Sequence, residues 1–335
     1  MTYTNVQLNS NSGQSGALFL DTLAQLPPNK YGNDETLRKR ARSKNYSQNI
    51  LRPLLHLNSP LHKYYQQAFY CNTELQQSGV TLRGSYCNTR CCNVCNRIRT
   101  AKLMNGYMNQ MKGEQYFVTL TIKNVKQKHL SDSITQMIKN MTLIIRNLRE
   151  KKKMDINGFR KLECTYNDDP NNKSYNTYHP HFHLLVDSEE GANKIIEQWL
   201  KRYPTAKREG QDIRKADENS KNELFKYTTK IGVKSKKAQE DEEGRGEIRI
   251  NIKALDQILI AMKGKRVFQP FGKIKKESEE VNGEELNAQS YNIPQVNSMN
   301  WIWVKYDWFN KYHQKLACVS PPKYKIVNTS QLIQT

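Results

Sequence analysis

Apolar and polar residues follow regular spacings through the middle of this chain, and the spacings predict strands and helices in alternation. Over residues 116–122 every second residue is apolar, which predicts a strand with one buried face. Residues 134–148 carry apolar side chains at helical spacing, preceded by serines that suit a helix cap at 131 or 133. Residues 159–166 and 178–186 predict a second pair of strands, joined by a stretch rich in Asn, Asp and Pro.

Two more helices are predicted downstream, one around Trp199 and one that holds Leu224 and Tyr227. Strands and helices interleaved in this order predict an α+β fold. The 335 residues suit roughly two domains. The composition divides the chain into a flexible basic arm (1–48), a cysteine segment (49–107), the α+β domain (108–275), and a polar linker with an aromatic tail of unassigned role (276–335).

Charge indicates the kind of partner. Lys and Arg number 53 and Asp and Glu number 32, so the net charge is +21. Such an excess favours a polyanion, and nucleic acid is preferred to anionic lipid because the chain shows no basic amphipathic surface helix and no lipidation motif. No stretch approaches the roughly 18 apolar residues of a membrane span, and the first residues do not resemble a secretory signal, so a cytoplasmic protein is expected.

Five of the seven cysteines lie between residues 71 and 95. Cys71, Cys87, Cys92 and Cys95 have a spacing that suits a structural zinc ion, with Cys91 as an alternative to Cys92. A group of buried free thiols is the other interpretation. The segment that follows is basic, and its cationic residues are predicted to contact DNA: Arg97, Arg99 and Lys102.

A His-x-His pair gives the sharpest local signal. On a strand, His181 and His183 project to one face, where they suit a divalent ion, while Phe182 points into the core. Glu163 lies on the strand predicted to pair with the His strand, so we expect it to face the histidines as a third ligand. The alternatives are two surface histidines and an exposed carboxylate.

A second constellation lies in the segment from Glu223 to Lys230. In a helix, Glu223 and Tyr227 are neighbours and Lys230 adds a cation close by. A phenol beside a divalent ion and a lysine is able to attack phosphorus, and a nearby carboxylate is able to activate water. With 18 tyrosines in the chain, a packing role for Tyr227 is the alternative.

Five motifs follow one another along the chain: Cys87-Asn-Thr-Arg-Cys-Cys92-Asn-Val-Cys95, Phe117-Val-Thr-Leu-Thr121, Tyr178-His-Pro-His-Phe-His-Leu-Leu185, Glu223-Leu-Phe-Lys-Tyr227-Thr-Thr-Lys230, and Met262-Lys-Gly-Lys-Arg266 leading to Phe271-Gly272. In this order they resemble the replication initiator (Rep) proteins of small rolling-circle plasmids, in the HUH endonuclease superfamily. The branch resembled carries a cysteine cluster ahead of the catalytic domain, which here is the domain 108–275. The family commonly has Pro where this chain has Asn93.

The resemblance implies a central antiparallel sheet with flanking helices, similar to the RRM palm, preceded by a small zinc-binding segment. It implies that His181 and His183, with Glu163, hold Mg²⁺ or Mn²⁺ on the scissile phosphate. It also implies that Tyr227 nicks one strand of the plasmid origin, keeping the 5′-phosphate and freeing a 3′-hydroxyl.

Further roles follow from the resemblance. Glu223 would activate water to end a round, Lys230 would offset phosphate charge or help deprotonate the phenol, and Lys226 would contact DNA. The expected partners are origin DNA, a host helicase and a DNA polymerase, in a bacterial cytoplasm. Two alternatives stay open: an HUH transposase or mobilisation relaxase, and a non-enzymatic zinc-dependent DNA-binding regulator in which the histidines and Tyr227 are structural.

Overall fold

The computed structural model of the protein describes residues 34–111, 113–225, 233–234, 246–275 and 288–330. It is an α+β protein with a central antiparallel sheet and flanking helices, as predicted. The helices are α1 Glu35–Leu55, α2 His62–Phe69, α3 Asn93–Tyr107, α4 Gln127–Arg146, α5 Glu189–Arg202, α6 Glu218–Phe225 and α7 Ile252–Met262.

The strands within the described ranges form three sheets. Their bounds are β1 Glu74–Gly79, β2 Thr81–Gly84, β3 Tyr116–Thr121, β4 Gly158–Asn167, β5 Thr177–Val186, β6 Asp212–Lys215, β7 Val233–Lys234, β8 Gly246–Ile250, β9 Phe268–Phe271, β10 Ala288–Ser290, β11 Val296–Val304, β12 Asp307–Phe309 and β13 Tyr324–Asn328. Short 3-10 turns lie at Met108–Gln110 and Arg208–Gly210, and a π-helical turn, Asn147–Lys151, extends α4.

The central sheet has the order β6-β3-β5-β4-β9, and every neighbouring pair is antiparallel. One face packs on α4, α5 and α7, whose apolar side chains form the largest core together with Phe182 and Leu162. The predicted strand pair is confirmed, because β4 and β5 pair along ten residues. The other face of this sheet carries the site described below.

Two local predictions about this domain need correction, and one is confirmed. The helix α4 begins at Gln127 with no side-chain cap, several residues before the expected serines. Its predicted apolar stripe is confirmed, since Ile134, Met137 and Ile144 are buried. The strand β3 is buried on both faces, because Phe117, on the face expected to be polar, packs in a second cluster with Tyr107 of α3.

The expected flexible arm is wrong for residues 35–48, which form most of α1; residues 1–33 lie outside the described ranges. Asp34 caps this helix by accepting from the Leu37 N–H at 2.8 Å. Arg40 of this helix does not lie free for phosphates, since it is buried and its guanidinium lies against the rings of Tyr291 and Trp308.

The C-terminal aromatic tail also has a structural role that the sequence did not indicate. The strand β11 pairs with β1, and β12 pairs with β11, so residues after 288 complete a five-stranded sheet with the cysteine segment. Trp301, Trp303 and Trp308 are buried in its core with Leu37 of α1. No helix in the described ranges is both long enough and apolar enough to cross a membrane.

Candidate active site

The Glu163, His181 and His183 side chains converge on the open face of the central sheet. Pairing of β4 with β5 sets Glu163 opposite His181 and Lys161 opposite His183, so all four share one face. Glu163 Oε2 lies 3.6 Å from Nε2 of His181 and 3.6 Å from Nε2 of His183. All three residues are buried. The sequence therefore predicted both the pairing and the convergence.

Hydrogen bonds orient both imidazoles with their Nε2 atoms toward Glu163. Nδ1 of His181 lies 3.0 Å from the carbonyl oxygen of His179, and a carbonyl only accepts, so Nδ1 carries the proton. Nδ1 of His183 is hydrogen-bonded to Thr119 Oγ1 at 3.2 Å, and the Phe117 ring stacks on the His183 ring. Outer contacts of this kind leave Nε2 of His181 as a lone-pair donor, as at histidine metal ligands.

A buried carboxylate oxygen and a buried imidazole nitrogen in this group lack hydrogen-bond partners. They are Glu163 Oε2 and His183 Nε2. Burial alone would raise the pKa of Glu163, but the two imidazoles 3.6 Å away and the charge of Lys161 hold that pKa well below its usual range. An ionised carboxylate and two imidazoles, with ligand atoms within 4.8 Å of one another, fit Mg²⁺ or Mn²⁺ with water completing the shell.

Lys161 belongs to this site, although it is not among the site residues predicted from the sequence. Its Nζ lies 2.6 Å from Glu163 Oε1 and donates to the backbone carbonyl of Glu223 at 2.9 Å, and the side chain is almost fully buried. The end of α6 is therefore tied directly to the carboxylate of the triad. Lys161 sits two residues before Glu163 on a strand, and this spacing was the available signal.

Of the predicted nucleophile segment, only its start is described. Glu223 is half-buried near the end of α6, whereas Tyr227, Lys230 and Lys226 lie outside the described residues. Leu224 beside Glu223 is buried against Phe117 and Phe159 of the central sheet. The chain thus enters the Tyr227 segment from a point fixed to the site face of the sheet.

The four predicted zinc ligands form a second group. The sulfur of Cys95 lies 3.7 Å from those of Cys71 and Cys87, and all four sulfurs, including that of Cys92, lie within 4.8 Å of one another. Tetrahedral zinc with Zn–S bonds of about 2.3 Å separates neighbouring sulfurs by about 3.8 Å, so the geometry fits. None of the four is in a disulfide.

The surroundings of the Cys71 and Cys87 sulfurs suit thiolates. Backbone N–H groups of Cys87 and Thr89 donate to Cys71 and Cys87 sulfurs, respectively, at 3.5 Å. Hydrogen bonds from the other three cysteines, Cys71 first, lower the pKa of the Cys87 thiol. The buried Lys44 ammonium of α1 donates to the Cys71 carbonyl at 2.6 Å, which places a cation beside the group.

Cys91 lies apart from the sulfur group. Its sulfur contacts Thr89 Oγ1 at 3.4 Å and the Tyr64 carbonyl at 3.9 Å, and burial raises the pKa of its thiol to about 11. The geometry therefore favours Cys92 over Cys91 as the fourth ligand.

The three described basic residues predicted to contact DNA also have partners inside the protein. Arg97 donates to the Lys39 carbonyl at 3.0 Å and thereby joins α3 to α1. Arg99 donates to the Thr89 carbonyl at 3.1 Å and to the Asn88 side chain at 2.7 Å, so it braces the cysteine loop. Lys102 is half-buried on the same helix. Contact of these residues with DNA stays a prediction.

Comparison with known proteins decides the family. A family model described as a replication protein matches residues 79–314, which is most of the chain. The chain belongs to this replication-protein family. The family predicted from the sequence motifs is thereby confirmed. The match includes the whole central sheet, the histidine triad and three of the four clustered cysteines, and it begins after Cys71.

Curated relatives support the assignment over a shorter stretch. A "Protein rep" of Streptococcus pneumoniae serotype 2 (strain D39 / NCTC 7466) is 32% identical over 109 residues, which cover 30% of this chain and 32% of the relative. A "Protein rep" of Staphylococcus aureus is 35% identical over 114 residues, covering 31% of this chain and 46% of the relative. The aligned stretch thus spans less than half of either relative. No solved structure matches the chain.

Proposed function

We propose that this protein initiates rolling-circle replication of a plasmid by nicking one strand of the origin with Tyr227. The observation that carries the proposal is the buried convergence of Glu163, His181 and His183 on one sheet face, with two partnerless ligand atoms aimed at a common point. If the group had only a structural role, the free-energy cost of removing its polar atoms from water would not be offset. Membership of the replication-protein family supports the same reading.

In the proposed reaction the Tyr227 phenolate oxygen attacks the scissile phosphorus. The P–O bond to the 3′ oxygen breaks, the strand end leaves as a 3′-hydroxyl after gaining a proton, and the 5′-phosphate stays on the tyrosine. A Mg²⁺ or Mn²⁺ ion held by Glu163, His181 and His183 would supply charge stabilisation and orientation of the phosphate. The phosphotyrosine keeps the ester energy, so the strand end is later rejoined.

Contacts of the described residues support the placing of Tyr227 at this site. Lys161 bridges Glu163 and the Glu223 carbonyl, and Tyr227 follows Glu223 by four residues.

Glu223 is proposed to activate water when a round ends, and Lys230 to offset phosphate charge. Lys226, Arg97, Arg99 and Lys102 are proposed to add phosphate contacts, and zinc in the cysteine group to hold its segment folded.

A cleavage assay with adduct mapping tests the proposal. Single-stranded oligonucleotides that tile the DNA around the coding sequence are incubated with Mg²⁺ or Mn²⁺, and the product is mapped by peptide mass spectrometry. We expect an adduct on Tyr227, its loss in Tyr227→Phe, and an adduct that forms but is not hydrolysed in Glu223→Gln. An adduct on another tyrosine would overturn the nucleophile assignment, and no strand cleavage at all would favour a non-enzymatic regulator.

Origin DNA is the proposed partner, together with a host helicase and DNA polymerase that extend the freed 3′-hydroxyl, in a bacterial cytoplasm. A transposase or relaxase would use the same triad and nucleophile. The same cleavage assay separates these functions, because an initiator cuts within an origin beside its own coding sequence, whereas a transposase cuts at transposon ends.

A further inference from the structure

A cavity of about 360 Å³ lies between the cysteine segment and strand β4 of the central sheet. One wall is strand β4 at Lys161, Leu162 and Glu163, so the cavity borders the carboxylate of the triad. The opposite wall comes from α2 and from the cysteine loop, residues 87–91. The volume falls in the range of small-ligand sites. Nothing in the mechanism above uses this space.

The cavity walls combine apolar surface with an exposed aromatic ring and a cation. Tyr64 lines the cavity and remains 42% exposed, although it is a large aromatic residue. The Lys263 ammonium lies 4.8 Å from the centre of the Tyr64 ring, in cation–π geometry. Leu259 and Met262 of α7 supply buried apolar surface. A planar ring stacked on Tyr64 would therefore meet apolar walls and a positive charge.

The motif that begins at Met262 forms a third side of the cavity. Arg90 of the cysteine loop donates to the Met262 carbonyl at 2.7 Å and also to the Lys265 carbonyl, so the loop is joined to the turn after α7. Gly264 in this turn has φ +73°, a left-handed conformation that favours glycine. The sequence predicts no role for this motif, and the structure places its first residues at the cavity.

We propose that this cavity holds one base of the single-stranded DNA, next to the phosphate that is cut, stacked on Tyr64. This inference rests on the proposed function, since the cavity takes its ligand class from the neighbouring triad. A nucleobase has apolar faces, which suit the walls, and its flanking phosphates suit the Lys263 ammonium at the cavity. The cysteine segment then forms half of the substrate cleft instead of a separate DNA-binding unit.

Two variants make a matched pair for the test. Tyr64→Ala removes the proposed stacking ring. Tyr312→Ala removes a tyrosine that is 52% exposed and also carries a lysine over its ring, Lys311 at 5.0 Å, but does not line the cavity. Both changes remove an exposed ring, so little loss of stability is expected in either. Zinc content and thermal unfolding are measured for both variants to establish that they fold.

The binding experiment uses short single-stranded oligonucleotides from around the coding sequence, each with 2-aminopurine at one position, in a Tyr227→Phe background that prevents cutting. We expect quenching at one position, retained in Tyr312→Ala and lost in Tyr64→Ala. An abasic site there should weaken binding roughly 5- to 150-fold with the Tyr312→Ala variant, and by less than about twofold with Tyr64→Ala, because the stack is already absent.

A cleavage experiment with Tyr227 intact separates this inference from the function on which it rests. Equal quenching by the two variants at every position would overturn the cavity proposal, even if the protein nicks DNA and forms the Tyr227 adduct. Tyr64-dependent quenching by a protein that never nicks would support a base site and overturn the nicking function. Nicking together with quenching that depends on Tyr64 supports both.

Discussion

The two candidate metal groups are built in opposite ways. Glu163, His181 and His183 lie on two neighbouring strands whose pairing alone brings them together. The four cysteines instead come from three places: the end of α2, the loop after β2, and the start of α3. The register of β4 and β5 fixes the positions of the first group before any ion binds. The positions of the four cysteines depend instead on how the loops around them fold.

This difference predicts different consequences of metal loss. The triad is supported on both sides by strands with continuous hydrogen bonding, so the sheet does not need the ion. Around the cysteines, residues Asn72 and Asn88 hold left-handed backbone conformations, and the sulfurs accept backbone N–H groups in place of regular structure. Metal should therefore matter for reaction at the first group and for folding at the second.

The largest effect is expected from removing a histidine. His181→Ala or His183→Ala should reduce nicking at least about 100-fold, because a metal ion contributes several kcal/mol to stabilising a phosphoryl transition state. Thermal unfolding and binding to duplex origin DNA should change little, since lysine and arginine contacts to phosphates dominate duplex affinity. Nicking assays and filter binding on the same samples measure both quantities. Unchanged nicking in either variant would remove the metal role.

The reverse pattern is expected from the cysteines. Cys92→Ser should lose zinc and lower the midpoint of thermal unfolding by about 10 °C or more, because structural zinc contributes folding free energy directly. Cys91→Ser is the matched control. It should retain zinc, because the Cys91 sulfur lies outside the group of four sulfurs. Elemental analysis and calorimetry measure the two results. Zinc retained in Cys92→Ser and lost in Cys91→Ser would exchange the two roles.

The contrast also explains how much was predictable from the sequence. The triad followed from strand periodicity, because antiparallel pairing through a turn-rich stretch left one simple register, which the structure confirms at Glu163 and His181. The cysteine ligands followed from spacing, but the choice between Cys91 and Cys92 needed the folded loop. Cys91 and Cys92 point in different directions in this loop, and no periodicity in the sequence indicates which of them faces the other sulfurs.

Other features had no local signal. Helix α1 looked like a solvated arm because its inward face includes Arg40 and Lys44, whose burial is explained only by distant partners such as Tyr291 and Cys71. Pairing of β11 with β1 joins segments more than 200 residues apart, and nothing near Trp301 identifies that partner. The sequence therefore did not predict which distant residues the buried polar side chains of α1 contact, or which strand pairs with β11.

Lys161 allows a test of the contacts that hold the triad in place. Lys161→Met keeps an unbranched chain of similar length but removes the ammonium that joins Glu163 to the Glu223 carbonyl. We expect nicking to fall about 10- to 100-fold, as for other outer contacts of metal ligands. Higher Mn²⁺ should restore part of the loss if only Glu163 is misplaced. Single-turnover cleavage across a metal titration measures this, and activity equal to the unaltered protein would reduce Lys161 to a packing residue.

The smallest expected effect concerns Lys44, the corresponding outer contact of the cysteine group. Four thiolates around one zinc ion leave a net negative charge inside the protein, and the buried Lys44 ammonium lies beside it, bonded to the Cys71 carbonyl. Lys44→Met should therefore weaken zinc binding about tenfold while the ion still binds, since all four sulfurs remain. Lys39→Met, an exposed position on the same helix, is the control and should bind zinc like the unaltered protein. Competition with a chromogenic chelator measures both affinities. If the two variants release zinc equally readily, the charge of Lys44 does not stabilise the site, and helix α1 supports the cysteine segment through packing alone.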